Sequence, residues 1–133
     1  PLKRGSFTLL FLKLDYKSFM NFKFIYKILA KIEWVVIKDK SEFKGTKKDL
    51  EDGYIHFSEE EQVRGTLKKF YKNQNDLILL KVKTINLDNL VWEQASDGNM
   101  FPHLYSSLDL SNVVKKFEII LQDDGNHKLP DSY

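Results

Sequence analysis

A chain of 133 residues with 42% apolar and 14% aromatic content can bury one core but not two ordinary ones, and its composition excludes a disordered chain. It contains no cysteine, which removes disulfides, thiolate nucleophiles and cysteine-held metal centres and fits a reducing cytoplasm. The formal charge is +2, and among 21 basic residues only Arg4 and Arg64 are arginines, so the strong field and bidentate phosphate clamps of a nucleic-acid binder are lacking.

The first residues differ from the rest. Phe7 to Leu12 is an apolar run too short to span a bilayer, and Asp15-Tyr16-Lys17 follows where a secretory leader would place small residues. The expectation is that residues 1–19 are an extension to a native start at Met20, with a Phe7 to Leu14 edge strand as the alternative. A single α+β domain is then expected over 20–126, and a frayed tail over 127–133.

Phe22 to Leu29 alternates aromatic and aliphatic residues with lysines and reads as a strand, with Phe24, Tyr26 and Ile28 on one face. Ile32 to Lys38 is read as a short helix, and Lys38 to Leu50, polar and with Gly45, as a loop anchored by Phe43. Asp52-Gly53 marks a turn into the strand Tyr54 to Phe57, and Ser58 with Glu61 has capping-box spacing. Strand alternation sends Ile55 and Phe57 to the core and leaves Tyr54, His56 and Ser58 on the other face. The helix Glu59 to Lys72 follows, with Val63, Thr66, Leu67, Phe70 and Tyr71 as its apolar stripe. Its opening glutamates would repel a phosphate.

Leu77 to Lys83 is continuous enough to be a central strand. Val91-Trp92-Glu93 is a short strand, Gln94 to Met100 a loop around Asp97-Gly98-Asn99, and Phe101 to Tyr105 is extended, with Pro102 marking an edge or strand start. Val113 to Leu121 is the last strand, with Phe117, Ile119 and Leu121 on one face. The order of elements implies a small α+β fold with two or three helices and mostly antiparallel strands.

Separated glycines exclude Rossmann and phosphate-loop motifs, and the three histidines have no metal-ligand spacing, so no metal is expected. His56 and His103 each lie two residues from a hydroxyl on the same strand face, Ser58 and Tyr105. If the strands are neighbours, the two imidazoles share a pocket with their rings within about ten ångströms, a span one ligand can bridge. Glu93 supplies a carboxylate there, and Trp92 and Phe101 supply apolar walls. Tyr26, Lys27 and Tyr54 complete the set of candidate ligand contacts. The bland alternative has each histidine bonding a nearby carbonyl to fix a loop.

From Phe24 to about residue 122 the chain resembles a bacterial family known as domain of unknown function 952. The resemblance rests on Ile25-Tyr26-Lys27-Ile28, Glu33-Trp34, Gly45, Asp52-Gly53-Tyr54-Ile55-His56-Phe57-Ser58, Gln62-Val63, Leu79-Leu80, Trp92-Glu93 and Phe101-Pro102-His103-Leu104-Tyr105. Tyr54 stands where that family usually has phenylalanine. The resemblance implies a cytoplasmic protein similar in fold to the ADP-ribosyltransferase group, possessing a split sheet and binding NAD in a cleft. The function it implies is an NAD- or nucleotide-handling transferase or hydrolase using His56, His103 and Glu93, with a tyrosine, Tyr26 or Tyr105, stacking on a flat ring. The competing expectation is a non-catalytic module that recognises a small molecule or partner through the same cleft. Neither expectation involves nucleic acid or a membrane.

Overall fold

The structure is a computed structural model that describes residues 22–133; the expectations for residues 1–19, including the Phe7 to Leu14 strand, fall outside these residues. In chain order the elements are β1 (Phe24–Ala30), α1 (Lys31–Ile37), β2 (Glu42–Phe43), α2 (Lys47–Asp52), β3 (Ile55–His56), a 3-10 turn (Glu60–Gln62), α3 (Val63–Phe70), β4 (Leu77–Lys83), β5 (Leu90–Gln94), β6 (Met100–Leu104), β7 (Leu108–Asp109), a second 3-10 turn (Leu110–Asn112), β8 (Val113–Leu121) and β9 (His127–Lys128). Every strand pairing among them is antiparallel.

Two main sheets are built from these strands, with orders β1-β4-β8-β9 and β3-β6-β5, while β2 and β7 form a separate pair. Branched and aliphatic residues fill β1 and β4, and both strands are covered on both faces. On one face Ile25, Leu29, Ile78, Leu80 and Val82 meet Ile55, Phe57, Leu90, Trp92 and Leu104 from the three-stranded sheet. On the other, Tyr26, Ile28, Leu77, Leu79 and Ile119 meet Val63 and Leu67 of α3. Each such fully buried aliphatic side chain is worth about 1.5–3 kcal/mol, so these two layers supply most of the driving force for folding. A pair of backbone hydrogen bonds between Tyr26 and Ser58, both 2.8 Å, joins the two sheets.

The long strands, helix α1 and the buried anchor Phe43 follow the sequence pattern. Other expectations are corrected. The stretch read as a loop before Leu50 holds β2 and the start of α2, because Thr46 and Asp49 cap a helix inside it: Thr46 Oγ1 accepts from the Asp49 N–H at 3.1 Å, and Asp49 Oδ2 accepts from the Thr46 N–H at 2.9 Å. The Ser58 and Glu61 box does not form. Gln62 accepts from the Glu59 N–H instead, and Ser58 Oγ meets Thr66 Oγ1. The predicted Glu59 to Lys72 helix is a 3-10 turn followed by α3, and Phe70 is exposed on it.

Pro102 sits in β6, the central strand of its sheet, not at an edge. Its carbonyl accepts from the Phe57 N–H just past the end of β3. A residue's N–H and C=O point to the same neighbour in an antiparallel ladder, so the donor that proline lacks faces the place where β3 has already stopped. The C-terminal residues, expected to fray, instead pair as β9 with β8, bury Leu129 and set Tyr133 edge-on against Tyr26.

Candidate functional site

The three-stranded sheet has one apolar and one polar face, and alternation decides which residue goes where. Ile55, Phe57, Leu90, Trp92 and Leu104 face the core. The opposite face carries His56 of β3, Phe101 and His103 of β6 and Glu93 of β5, with Tyr54 and Tyr105 at the strand ends. His56 and His103 are register partners, and their ring centroids lie 5.7 Å apart, inside the expected ten. Tyr54 stacks on His103 at 4.0 Å and packs against His56 at 4.6 Å and Tyr105 at 5.2 Å. Four rings thus form one aromatic face.

Each histidine is held by a carboxylate. His103 Nδ1 lies 2.7 Å from Glu93 Oε1, which also accepts from the Tyr105 hydroxyl at 2.6 Å. Burial pulls the His103 pKa down, more strongly than Glu93 pulls it up, and His56 adds to the lowering. In the neutral ring the proton stays on Nδ1, where Glu93 accepts it, and Nε2 keeps a lone pair. Burial and the Glu93 hydrogen bond push the Tyr105 phenol upward, and burial with Asp52 and Glu93 does the same to Tyr54, so both hydroxyls remain protonated donors.

His56 has carboxylates on both sides. Its Nδ1 lies 2.6 Å from Asp49 Oδ1 and its Nε2 lies 3.0 Å from Asp52 Oδ2. Only the imidazolium donates from both nitrogens. Behind it, Asp49 is 2% exposed and also takes the Lys27 ammonium at 2.9 Å and the His56 N–H at 3.1 Å. Burial alone pushes the Asp49 carboxyl up. The His56 hydrogen bond, the Lys27 ammonium and the Thr46 N–H outweigh that and hold it far below the ordinary carboxylate range.

Of the residues expected at the site, His56, His103, Glu93, Tyr54, Phe101 and Tyr105 share the polar face. Four others are elsewhere. Tyr26 lies in the second core layer against Tyr133, and Ser58 is buried against Thr66. Trp92 is core, stacked on Phe22 at 5.1 Å with its indole N–H donated to Glu59 Oε2 at 2.7 Å. Lys27 is buried and reaches the site only through Asp49. Asp49 and Asp52 are the residues that sequence reading missed. The Thr46-x-x-Asp49 spacing signals the capped helix, and Asp52, four residues before His56, follows once Gly53 is read as that helix's left-handed C-cap, at φ 85°. Among the described residues no group of three or more acidic or histidine side chains is disposed to hold a metal ion.

The fold and site define a small antiparallel α+β protein that carries two carboxylate-braced histidines, His103 buried and His56 partly exposed, on the polar face of a sheet. The chain belongs to the family described as "Protein of unknown function (DUF952)", whose model matches residues 28–116. It is similar to the crystal structure of protein CC0527 from Caulobacter crescentus, with 40% identity, TM-score 0.74, and coverage of 79% of this chain and 93% of that one. The solution NMR structure of the same protein also aligns, with 40% identity, TM-score 0.70, and coverage of 77% and 90%. A search of curated proteins finds no match. Among the described residues no helix is long and apolar enough to cross a membrane.

Proposed function

We propose that this protein is a cytoplasmic nucleotide-handling enzyme of ADP-ribosyltransferase type, acting on NAD at the His56 and His103 face. The observation that carries the reading is the pairing of two unlike histidines 5.7 Å apart, one braced at Nδ1 by Glu93, with no partner for its Nε2 among the described residues, and one held between Asp49 and Asp52. One neutral acceptor beside one potential cation is the arrangement that acid–base chemistry needs. The split pair of sheets fits the resemblance to ADP-ribosyltransferases, and the half-exposed Tyr105 offers a ring for stacking.

In this reading the bond from ribose C1′ to the nicotinamide nitrogen breaks, and its electron pair leaves with nicotinamide. A C1′–O bond forms to water or an acceptor hydroxyl, whose proton passes to His103 Nε2. Glu93 acts through His103 by fixing its tautomer. His56 donates to the ribose or a phosphate oxygen, for which Asp52 must move aside. Titration calorimetry with NAD and ADP-ribose, together with chromatography for released nicotinamide, tests the reading. His103→Gln, with an unchanged circular dichroism spectrum, should lower turnover by about 100-fold or more. No heat and no nicotinamide at millimolar NAD would remove the proposal.

One observation favours a non-catalytic recognition module instead: both ring nitrogens of His56 are already engaged. Under that reading a ligand binds, no nucleotide is turned over, and His103→Gln weakens binding without any rate to change.

A further inference from the structure

The Asp52 carboxylate belongs to a chain of alternating basic and acidic side chains. From the interior outward, the Lys27 ammonium meets Asp49 at 2.9 Å, Asp49 meets His56 Nδ1 at 2.6 Å, His56 Nε2 meets Asp52 Oδ2 at 3.0 Å, and the same Oδ2 meets the Lys48 ammonium at 3.4 Å. The inner links are fixed by burial. The outer ones are not, since the Asp52 side chain is 30% exposed and that of Lys48 71%.

Asp52 is also the last residue of α2, where the helix carbonyls disfavour an anion. Two groups hold the carboxylate there, the exposed Lys48 one turn back in the same helix and His56 from β3. A single oxygen bridging an imidazole N–H and an ammonium is the contact that a bound oxyanion makes. We propose that Asp52 is an internal stand-in for a ligand's oxyanion. Binding turns this side chain outward and seats the ligand's oxygen between His56 Nε2 and Lys48 Nζ.

The ligand group is a carboxylate or a phosphate, and in a nucleotide it is the phosphate. This deepens the proposed function, on which it rests only for the identity of the anion's carrier; the Lys48 ammonium and the His56 Nε2–H are the groups that offset the anion's charge, and turning Asp52 outward removes a like charge from the seat. Placing the oxyanion at His56 also sets it one ring away from His103, the acceptor of the proposed chemistry.

The test uses the full chain with acetate, inorganic phosphate and ADP-ribose as probes, read by calorimetry and by the ring signals of His56 in NMR spectra. Asp52→Ala should bind the preferred anion about tenfold more tightly, because the competing closed state is gone. Lys48→Gln in that background should weaken binding by about threefold. Asp52→Asn, which keeps the shape without the charge, should fall between parent and alanine. A gain for acetate alone assigns a carboxylate, and a gain for phosphate and ADP-ribose assigns a nucleotide phosphate. Equal affinity of parent and Asp52→Ala for every probe overturns the inference, even in a protein that cleaves NAD. Tighter phosphate binding without NAD cleavage removes the proposed reaction and leaves the oxyanion seat standing.

Discussion

At the scale of single residues, the site depends on charges that have left water. Lys27 and Asp49 are each less than 5% exposed and bonded to one another, so removing either strands the other. Lys27→Met and Asp49→Leu should each cost about 3–5 kcal/mol in urea denaturation, and the double variant less than their sum. His103 ties the site to pH. Burial lowers its pKa below the ordinary 6.5, so as pH falls the unfolded chain takes up the proton first. The stability His103 contributes is therefore complete above about pH 6.5 and is lost on acidification below it. Asp49, depressed from 3.8, adds a second loss below that value. Urea midpoints between pH 7 and pH 3 should fall in these two stages, and His103→Asn should flatten the first.

At the scale of elements, α2 decides the outcome, because six residues deliver Asp49 and Asp52 to both sides of one imidazole. Thr46→Ala removes a cap and should cost about 1 kcal/mol. Gly45 is more constrained. Its φ is 125°, and a Cβ there would lie 2.8 Å from the Asp49 Cβ, so Gly45→Ala should cost more than Thr46→Ala and disturb His56 as well. Gly65 is the control, since it lies within α3 with open space around it; Gly65→Ala should raise stability by about 0.5–1 kcal/mol in thermal melts. These elements also show what a sequence conveys. The face shared by His56, His103 and Glu93 was legible because strand alternation is strict, and so was the core position of Ile55 and Phe57. Helix α2 was not, because KKDLED has only one aliphatic residue and its stability comes from a cap and a buried ion pair instead of an apolar stripe. Trp92 was misassigned because its neighbour Glu93 does face the site, and alternation turns Trp92 to the opposite side.

At the scale of the whole molecule, the sheets meet at Tyr26, whose backbone bridges to Ser58 and whose ring lies under Tyr133. Burial, with Glu60 and Tyr133 nearby, pushes its phenol up to about 12, against 10.0 when exposed. The unfolded chain ionises first as pH rises, so stability from this junction is intact below pH 10.0 and is lost from there to about 12. Urea midpoints from pH 9 upward should show that decline, and Tyr26→Phe should reduce it. The Phe22, Trp92 and Glu59 stack has an optical consequence. Of the two tryptophans, Trp92 is 2% exposed with its indole N–H on a carboxylate, whereas Trp34 of α1 is only half-buried. Their fluorescence emission should therefore separate into a short-wavelength band from the interior and a longer one from the surface. Quenching by a dissolved solute such as iodide should reach only the second, giving a way to watch α1 loosen while the interior between the sheets stays closed.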